Sequence, residues 1–287
     1  MKTKRKINPI LVILIAAVVM VIITIAIILL MGGRFTTLAN GAKFLGEAEN
    51  GQPVSGTIKY QDDTEATLDF YNRTIQYANG DIYVGEIVGG CRHGYGVMSF
   101  SATGDVYEGY FQNDAITGTG TFKYANGDIY EGGFLNSLKH GQGKFTYANG
   151  NSYVGNFEND VRSGQGVFKW ASGASYEGSF ANELKNGYGV MTYESGDRYE
   201  GFFKNDMRDG EKGVYMWANG ERYNGTFRNN LMDTRAVDQN GNFILDEKGE
   251  YVHIEEAVYT FTTGRTYRGY FIEGQAVGVN IMTGTGN

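Results

Sequence analysis

Apolar and polar positions alternate along most of this chain, and between Tyr107 and Gly225 the alternation settles into one returning phrase. It reads Tyr-x-Gly-x-Phe, a polar loop, Gly-x-Gly-x-Phe-x-Tyr, then Asn-Gly or Ser-Gly. Its clearest copy is Tyr130 to Gly150, YEGGFLNSLKHGQGKFTYANG. The leading tyrosine stands at Tyr83, Tyr107, Tyr130, Tyr153, Tyr176, Tyr199 and Tyr223, with spacings of 24, 23, 23, 23, 23 and 24, and a further copy opens at Tyr267. A fixed period in this range is the mark of a repeat architecture.

The marked residues within each half of the phrase lie two apart, the strand period, so they share one sheet face. That face alternates glycine with aromatic rings. Glycine weakens a strand by itself, but it lets a neighbouring ring lie on bare backbone. The Ala-Asn-Gly-Asp of Ala125 to Asp128 and the Ala-Asn-Gly-Asn of Ala148 to Asn151 supply turn chemistry that closes a hairpin. A second loop carries Asn113, Asn136, Asn159, Asn182, Asn205 and Asn229, each six residues past its tyrosine. One repeat is therefore predicted to be one two-stranded hairpin, and the fold all-β.

These residues resemble the MORN repeat family, whose pattern is similar to Tyr-x-Gly-x-Phe-x-x-Asp/Asn followed some six residues later by Gly-x-Gly and aromatics. The five copies opening at Tyr107 through Tyr199 keep nearly all of it. The likeness runs from Tyr77 to Phe227 and returns at Tyr259 to Gly278. The resemblance implies an elongated, twisted antiparallel sheet of hairpins used as a scaffold, a membrane tether or a lipid-contacting module. Family members that are enzymes carry a separate catalytic domain, so no enzyme activity is expected here.

The front of the chain has a different pattern. Residues 1–9 form a basic tail with Lys2, Lys4, Arg5 and Lys6, and Ile10 to Met31 is a run of 22 residues without a charge. As a helix it would cross a hydrocarbon core of about 30 Å. We read 10–31 as an uncleaved signal anchor preceding the sheet. A cleaved signal peptide ending near Thr37-Leu38-Ala39 competes with that reading, but the run exceeds an ordinary signal core of roughly 7 to 15 residues. Basic residues before the span place the N-terminus in the cytoplasm and the repeats outside, at a cell membrane crossed once.

Residues 32–53, rich in Gly, Ala and Asn, read as a linker. Residues 54–82 read as a degenerate capping repeat, in which Val54-Ser-Gly56-Thr-Ile58-Lys-Tyr60 copies the first half of the phrase and Phe70, Ile75 and Tyr77 survive from the second. Regular repeats fill 83–229. In 230–258 the phrase fails, with Thr234 and Ala236 where the glycine pair belongs, and an inserted hairpin is expected on Asn240-Gly241, its apolar residues Val237, Phe243, Ile244, Tyr251, Val252 and Ile254 arguing against a solvated loop. Residues 259–287 form a terminal repeat whose last strand is either frayed or paired with another molecule.

Composition adjusts this picture. Glycine numbers 43 of 287 and proline only 2, and because the glycines are periodic the excess belongs to the repeat. The single cysteine, Cys91, rules out an internal disulfide. Beyond the span 21 basic residues face 32 acidic ones, a balance of −11, which argues against nucleic acid and against attraction to anionic lipid.

No catalytic residue, cofactor or metal is expected. His93 and His140 stand ten residues past their tyrosines, where other copies have Thr117, Ser163, Asn186 and Asp209, and so read as variable loop positions. Asp238, Asn240, Asn242 and Asp246 alternate as calcium ligands do, but an EF-hand would need glycine and glutamate where Phe243 and Gly249 stand. The candidate contact patch is on the face opposite the glycine stripe, where Tyr95, Tyr110, Tyr188, Phe202 and Tyr270 interrupt an otherwise polar surface. The expected register sets Tyr95 beside Tyr110 and Tyr188 beside Phe202, either as ordinary cross-strand pairs or as a contact for a partner or a sugar. The favoured partner is a protein, or a second copy of the chain through the aromatic face or terminal edge strand. A glycan, the cell wall or lipid is the alternative, weakened for wall binding by only two tryptophans, Trp170 and Trp217.

Overall fold

The computed structural model describes residues 33–277 and 281–282, and every regular element among them is a β-strand. The anchor expected at 10–31 lies outside the described residues, and no described helix is long and apolar enough to cross a membrane. The chain divides into two compact units, Met1–Ala125 and Asn126–Asn287. Each is an antiparallel meander of hairpins.

In the second unit the strand Ile129–Leu135 turns into Leu138–Thr146 across Asn136 and Ser137, whose φ values of 50° and 66° are those of a tight two-residue turn. Asn159-Asp160, Asn182-Glu183 and Asn205-Asp206 repeat it. Both residues hold positive φ, the geometry that matches strand twist, and asparagine in front tolerates it best. The tight turn is therefore at the asparagine six residues past each tyrosine. The Ala-Asn-Gly loops, expected to be the short closure, are five residues long instead: Tyr147 to Asn151 joins Leu138–Thr146 to Ser152–Glu158. His93 and His140, expected in loops, are on the strands Cys91–Ser99 and Leu138–Thr146 for the same reason.

The glycines stand side by side across the strands, Gly132 against Gly143, Gly143 against Gly155, Gly155 against Gly166, and Gly166 against Gly178. Tyr130 lies over the first pair. A Cβ at Gly143 would stand 2.5 Å from its ring and one at Gly132 2.5 Å from its hydroxyl. Tyr83, Tyr107, Tyr130, Tyr153, Tyr176, Tyr199 and Tyr223 are all completely buried in this way. From Tyr107 on, each is clasped by the phenylalanine of its own repeat and, within a unit, by that of the next: Tyr130 meets Phe134 at 5.1 Å and Phe157 at 5.0 Å, both edge-on.

The linker expected at 32–53 is, from Gly33 on, part of the sheet. Its residues hold the strands Gly33–Thr37 and Lys43–Glu49 and enter Gln52–Lys59. Phe44 takes the tyrosine's place, buried over Gly46, where a Cβ would stand 2.7 Å from its ring, and Gly46 pairs with Gly56. Asn50-Gly51 makes the tight turn, with φ of 49° and 81°. Val54 to Ile58 is thus the second half of a repeat opened by Phe44, not the first half of a cap. In the next hairpin Leu68 and Ile75 are buried, whereas Phe70, expected inside, is exposed.

The insertion also differs from expectation. Past Leu231–Met232 it holds single bridges, Arg235 to His253, Val237 to Phe243 and Leu245 to Tyr251, and a regular strand resumes only at Ala257–Thr260. Ala257, not Thr234, fills the glycine position: it pairs with Gly269, and a Cβ on Gly225 would stand 2.5 Å from its own. Phe243, Ile244, Tyr251, Val252 and Ile254 are exposed. Two of these are used nonetheless. The buried Arg235 lies 3.7 Å from the centre of the Phe243 ring and 4.9 Å from Tyr251, and it pairs with buried Asp233 at 2.6 Å.

Candidate contact surfaces

On the aromatic face each buried tyrosine donates its hydroxyl to the carbonyl three residues on, Tyr130 to Gly133 at 2.9 Å and Tyr153 to Asn156 at 3.0 Å. Burial pushes the phenols of Tyr107 and Tyr153 up to about 12, so they stay neutral donors at any physiological pH. The stripe is structural throughout.

Beside it runs a row of charges that the sequence reading missed. Within the second unit Lys139 meets Asp160 at 3.2 Å, Arg162 meets Glu183 at 2.6 Å, and Lys185 meets Asp206 at 3.3 Å. Each cation is nine residues past its tyrosine and each acid sits in the tight turn of the next repeat. Backbone bonds run the same way, from Asp160 N–H to the Lys139 carbonyl at 3.0 Å and from Lys139 N–H to the Asp160 carboxylate at 2.9 Å. The first unit has the same contact between Arg92 and Asp114, at 3.3 Å. The signal was present as Lys/Arg and Asp/Glu recurring at the 23-residue period, hidden because either member of each charge class will serve.

The long loops are laced in parallel: the Ala148 N–H donates to Asp128 at 2.8 Å and the Ala171 N–H to Asn151 at 2.9 Å. Above this framework lies an open cleft of about 510 Å³ lined by Tyr147, Phe168, Trp170, Arg162 and Lys185, with the paired acids Glu183 and Asp206 in its wall. Arg162 stands 5.2 Å from the Phe168 ring centre and Lys185 5.7 Å from that of Trp170.

A second cleft, of about 490 Å³, opens at the C-terminal end, lined by Trp217, Met232, Tyr259, Phe261, Tyr267 and Phe271. It shares Trp217, Met232 and Gly274 with a smaller hollow that contains Arg208.

On the opposite face the register joins the expected partners. Tyr95 pairs with Tyr110 and Tyr188 with Phe202, each edge-on with ring centres 5.4 Å apart. All four are between 45% and 50% exposed, so the rings of each pair are left uncovered. Tyr95 and Tyr188 donate their hydroxyls to Glu108 at 2.9 Å and Glu200 at 2.7 Å. Tyr270 is apart from both pairs and stacks on His253, 4.2 Å between ring centres, while His253 Nδ1 bonds the Thr234 hydroxyl at 2.7 Å.

The groups weighed for chemistry are held elsewhere. Burial pushes the Cys91 thiol up to about 11, so it is not an activated nucleophile. Asp238 accepts the N–H groups of Asn240 and Asn242, and Asp246 those of Lys248 and Glu250, so these acids cap their own turns. Among the described residues no group of three or more His, Cys, Asp and Glu is placed to hold a metal ion.

A model of the MORN repeat family matches residues 83–102, 107–129, 130–152, 153–175, 176–198 and 199–222. No curated protein matches the sequence. Among solved structures, the chain is similar to the TCP10 domain of Danio rerio CPAP in complex with a peptide of Danio rerio STIL, at 9% identity over 87% of this chain and 99% of that one, with a TM-score of 0.40. It is also similar to the SAS-4 TCP domain of Drosophila melanogaster in complex with a proline-rich motif of Ana2, at 13% identity over 78% and 95%, with a TM-score of 0.32.

Proposed function

The chain carries six consecutive MORN repeats over residues 83–222, and from that premise we propose that it acts as a non-catalytic interaction scaffold held at a membrane by residues 10–31. The observation that carries the interaction reading is the outward aromatic pair Tyr188 and Phe202, half exposed and in register on the face opposite the glycine stripe. Aromatic surface of this kind anchors protein contacts. The first described strand begins at Gly33, two residues after the uncharged run ends at Met31, so an anchored array would stand close to the bilayer. The basic tail before that run supports an N-terminus inside and repeats outside.

The test is protease accessibility of a C-terminally tagged chain in intact cells, followed by crosslinking. Cleavage from outside and a protein crosslinked through the outer face is the expected result. A protected tag would move the array to the cytoplasm. A second reading, a glycan or cell-wall binder, is favoured by the carboxylates of Glu108 and Glu200 beside the exposed rings, an arrangement suited to stacking a sugar and bonding its hydroxyls. Retention on immobilised cell-wall polysaccharide, lost on Tyr188→Ser with Phe202→Ser, separates it from the first.

A further inference from the structure

From Lys139 through Lys185 each cation of the row meets an acid in the next turn, and at Arg208 it does not. Arg162 illustrates the closed form: its N–H and Nε donate to the two oxygens of Glu183, at 2.5 and 2.6 Å, and Nη2 donates to the Glu183 carbonyl at 3.0 Å. At Arg208 the next turn offers Asn230 in place of an acid. The Arg208 N–H still finds Asn230 Oδ1 at 2.8 Å and Nη2 still finds the Asn230 carbonyl at 2.7 Å. Nε is buried and without a hydrogen-bond partner, because a carboxamide has an NH₂ where a carboxylate has its second oxygen. Arg208 thus keeps its guanidinium 4.9 Å from the Tyr215 ring centre, in the hollow that shares Trp217 and Met232 with the C-terminal cleft, and among the described residues no carboxylate pairs with it.

The acids near this cleft are already engaged. Asp197 accepts the Tyr215 hydroxyl and the Ala218 N–H, Glu221 accepts the Tyr259 hydroxyl, and Asp209 accepts the Asn229 N–H. What remains is one uncompensated cation at the mouth of an aromatic trough walled by Trp217, Tyr259, Phe261 and Phe271.

We propose that this cleft binds a segment of a partner protein in which an aspartate or glutamate stands beside an apolar side chain. The carboxylate meets the Arg208 guanidinium and the apolar group enters the trough. The complement is visible inside the array itself, where Glu183 and Phe180 of one repeat cover Arg162 and Tyr153 of the one before. The partner supplies in trans what Asn230 withholds in cis. This rests on the scaffold reading above and names the chemistry of its partner.

The test is selection of random dodecapeptides on the full chain in detergent micelles, followed by fluorescence polarisation with the enriched peptides. Expected are peptides with an acid within two residues of Leu, Phe, Tyr or Trp. Their affinity falls about tenfold or more on Arg208→Met and on changing the peptide's acid to its amide, the weight of one charge-assisted hydrogen bond. Asn230→Asp, which restores the internal carboxylate without disturbing the fold, lowers affinity by a similar factor. No enrichment over empty micelles, peptides without acids, or unchanged binding to Asn230→Asp would overturn the proposal. Those failures leave the scaffold reading intact if crosslinking still recovers a protein through Tyr188 and Phe202; a scaffold with no crosslinked protein fails independently.

Discussion

The repeats from Tyr130 to Gly196 and the end of the array from Tyr199 to Val277 are built from one phrase and end differently. In the first stretch every ring has its glycine pair and every turn acid has its cation in the repeat before. At the end, alanine replaces a glycine at Ala257, asparagine replaces an acid at Asn230, and an insertion held by buried Arg235 separates the two halves of one hairpin. Where the phrase is complete the ladder charges are paired by their own neighbours. Where the phrase lapses, a cation and an aromatic trough are left for something else.

The comparison can be broken most severely at the glycines. Gly143→Val should cost about 3 kcal/mol or more, since even a Cβ there would stand 2.5 Å from the fully buried Tyr130 ring, whereas Ala257→Gly at the equivalent late position should change stability by less than about 1 kcal/mol. Chemical denaturation of the two variants checks the contrast.

Next in size is the clasp of the insertion. Arg235→Ala strands the buried Asp233 carboxylate and should cost about 3 kcal/mol locally, read as new proteolysis between Asp238 and Glu250. Burial alone would raise the Asp233 carboxyl, but the hydrogen bonds and charge of Arg235 hold it below its ordinary value. A carboxyl lowered in the folded state contributes stability above its unfolded value of about 4 and loses it as pH falls through the folded one. The same proteolytic sites should therefore open in acid, below about pH 4, and stay closed at neutrality.

Within the complete repeats, Glu183→Gln should cost about 1 kcal/mol and less at high salt, because the pair is only partly shielded. On the outer face, Tyr188→Ser with Phe202→Ser should cost about 1 kcal/mol at most in thermal unfolding and leave the fold intact, while partner capture falls.

The hairpin unit, the stacked tyrosines and the pairing of Tyr188 with Phe202 were legible in the sequence because a period of two fixes a face and a period of 23 fixes a neighbour. Three features were not. Phe44 opens a repeat that a search keyed on tyrosine passes over, although any ring of that size fills the space over Gly46 and Gly56. In the repeat opened by Tyr130 both turns carry asparagine, and only backbone φ separates the tight one at Asn136 from the looser one at Asn149. The ladder joining Arg162 to Glu183 spans 21 residues between positions whose identities vary, so its chemistry is constant while its letters are not.

The central claim, that the inter-repeat ladder lapses at Arg208, is tested most directly by thermal unfolding of Asn230→Asp alone and combined with Arg208→Met. The account predicts a gain of about 0.5 to 1 kcal/mol, roughly 2 °C, in the single variant and none when Arg208 is gone. A gain that persists without Arg208, or a loss in the single variant, would contradict it.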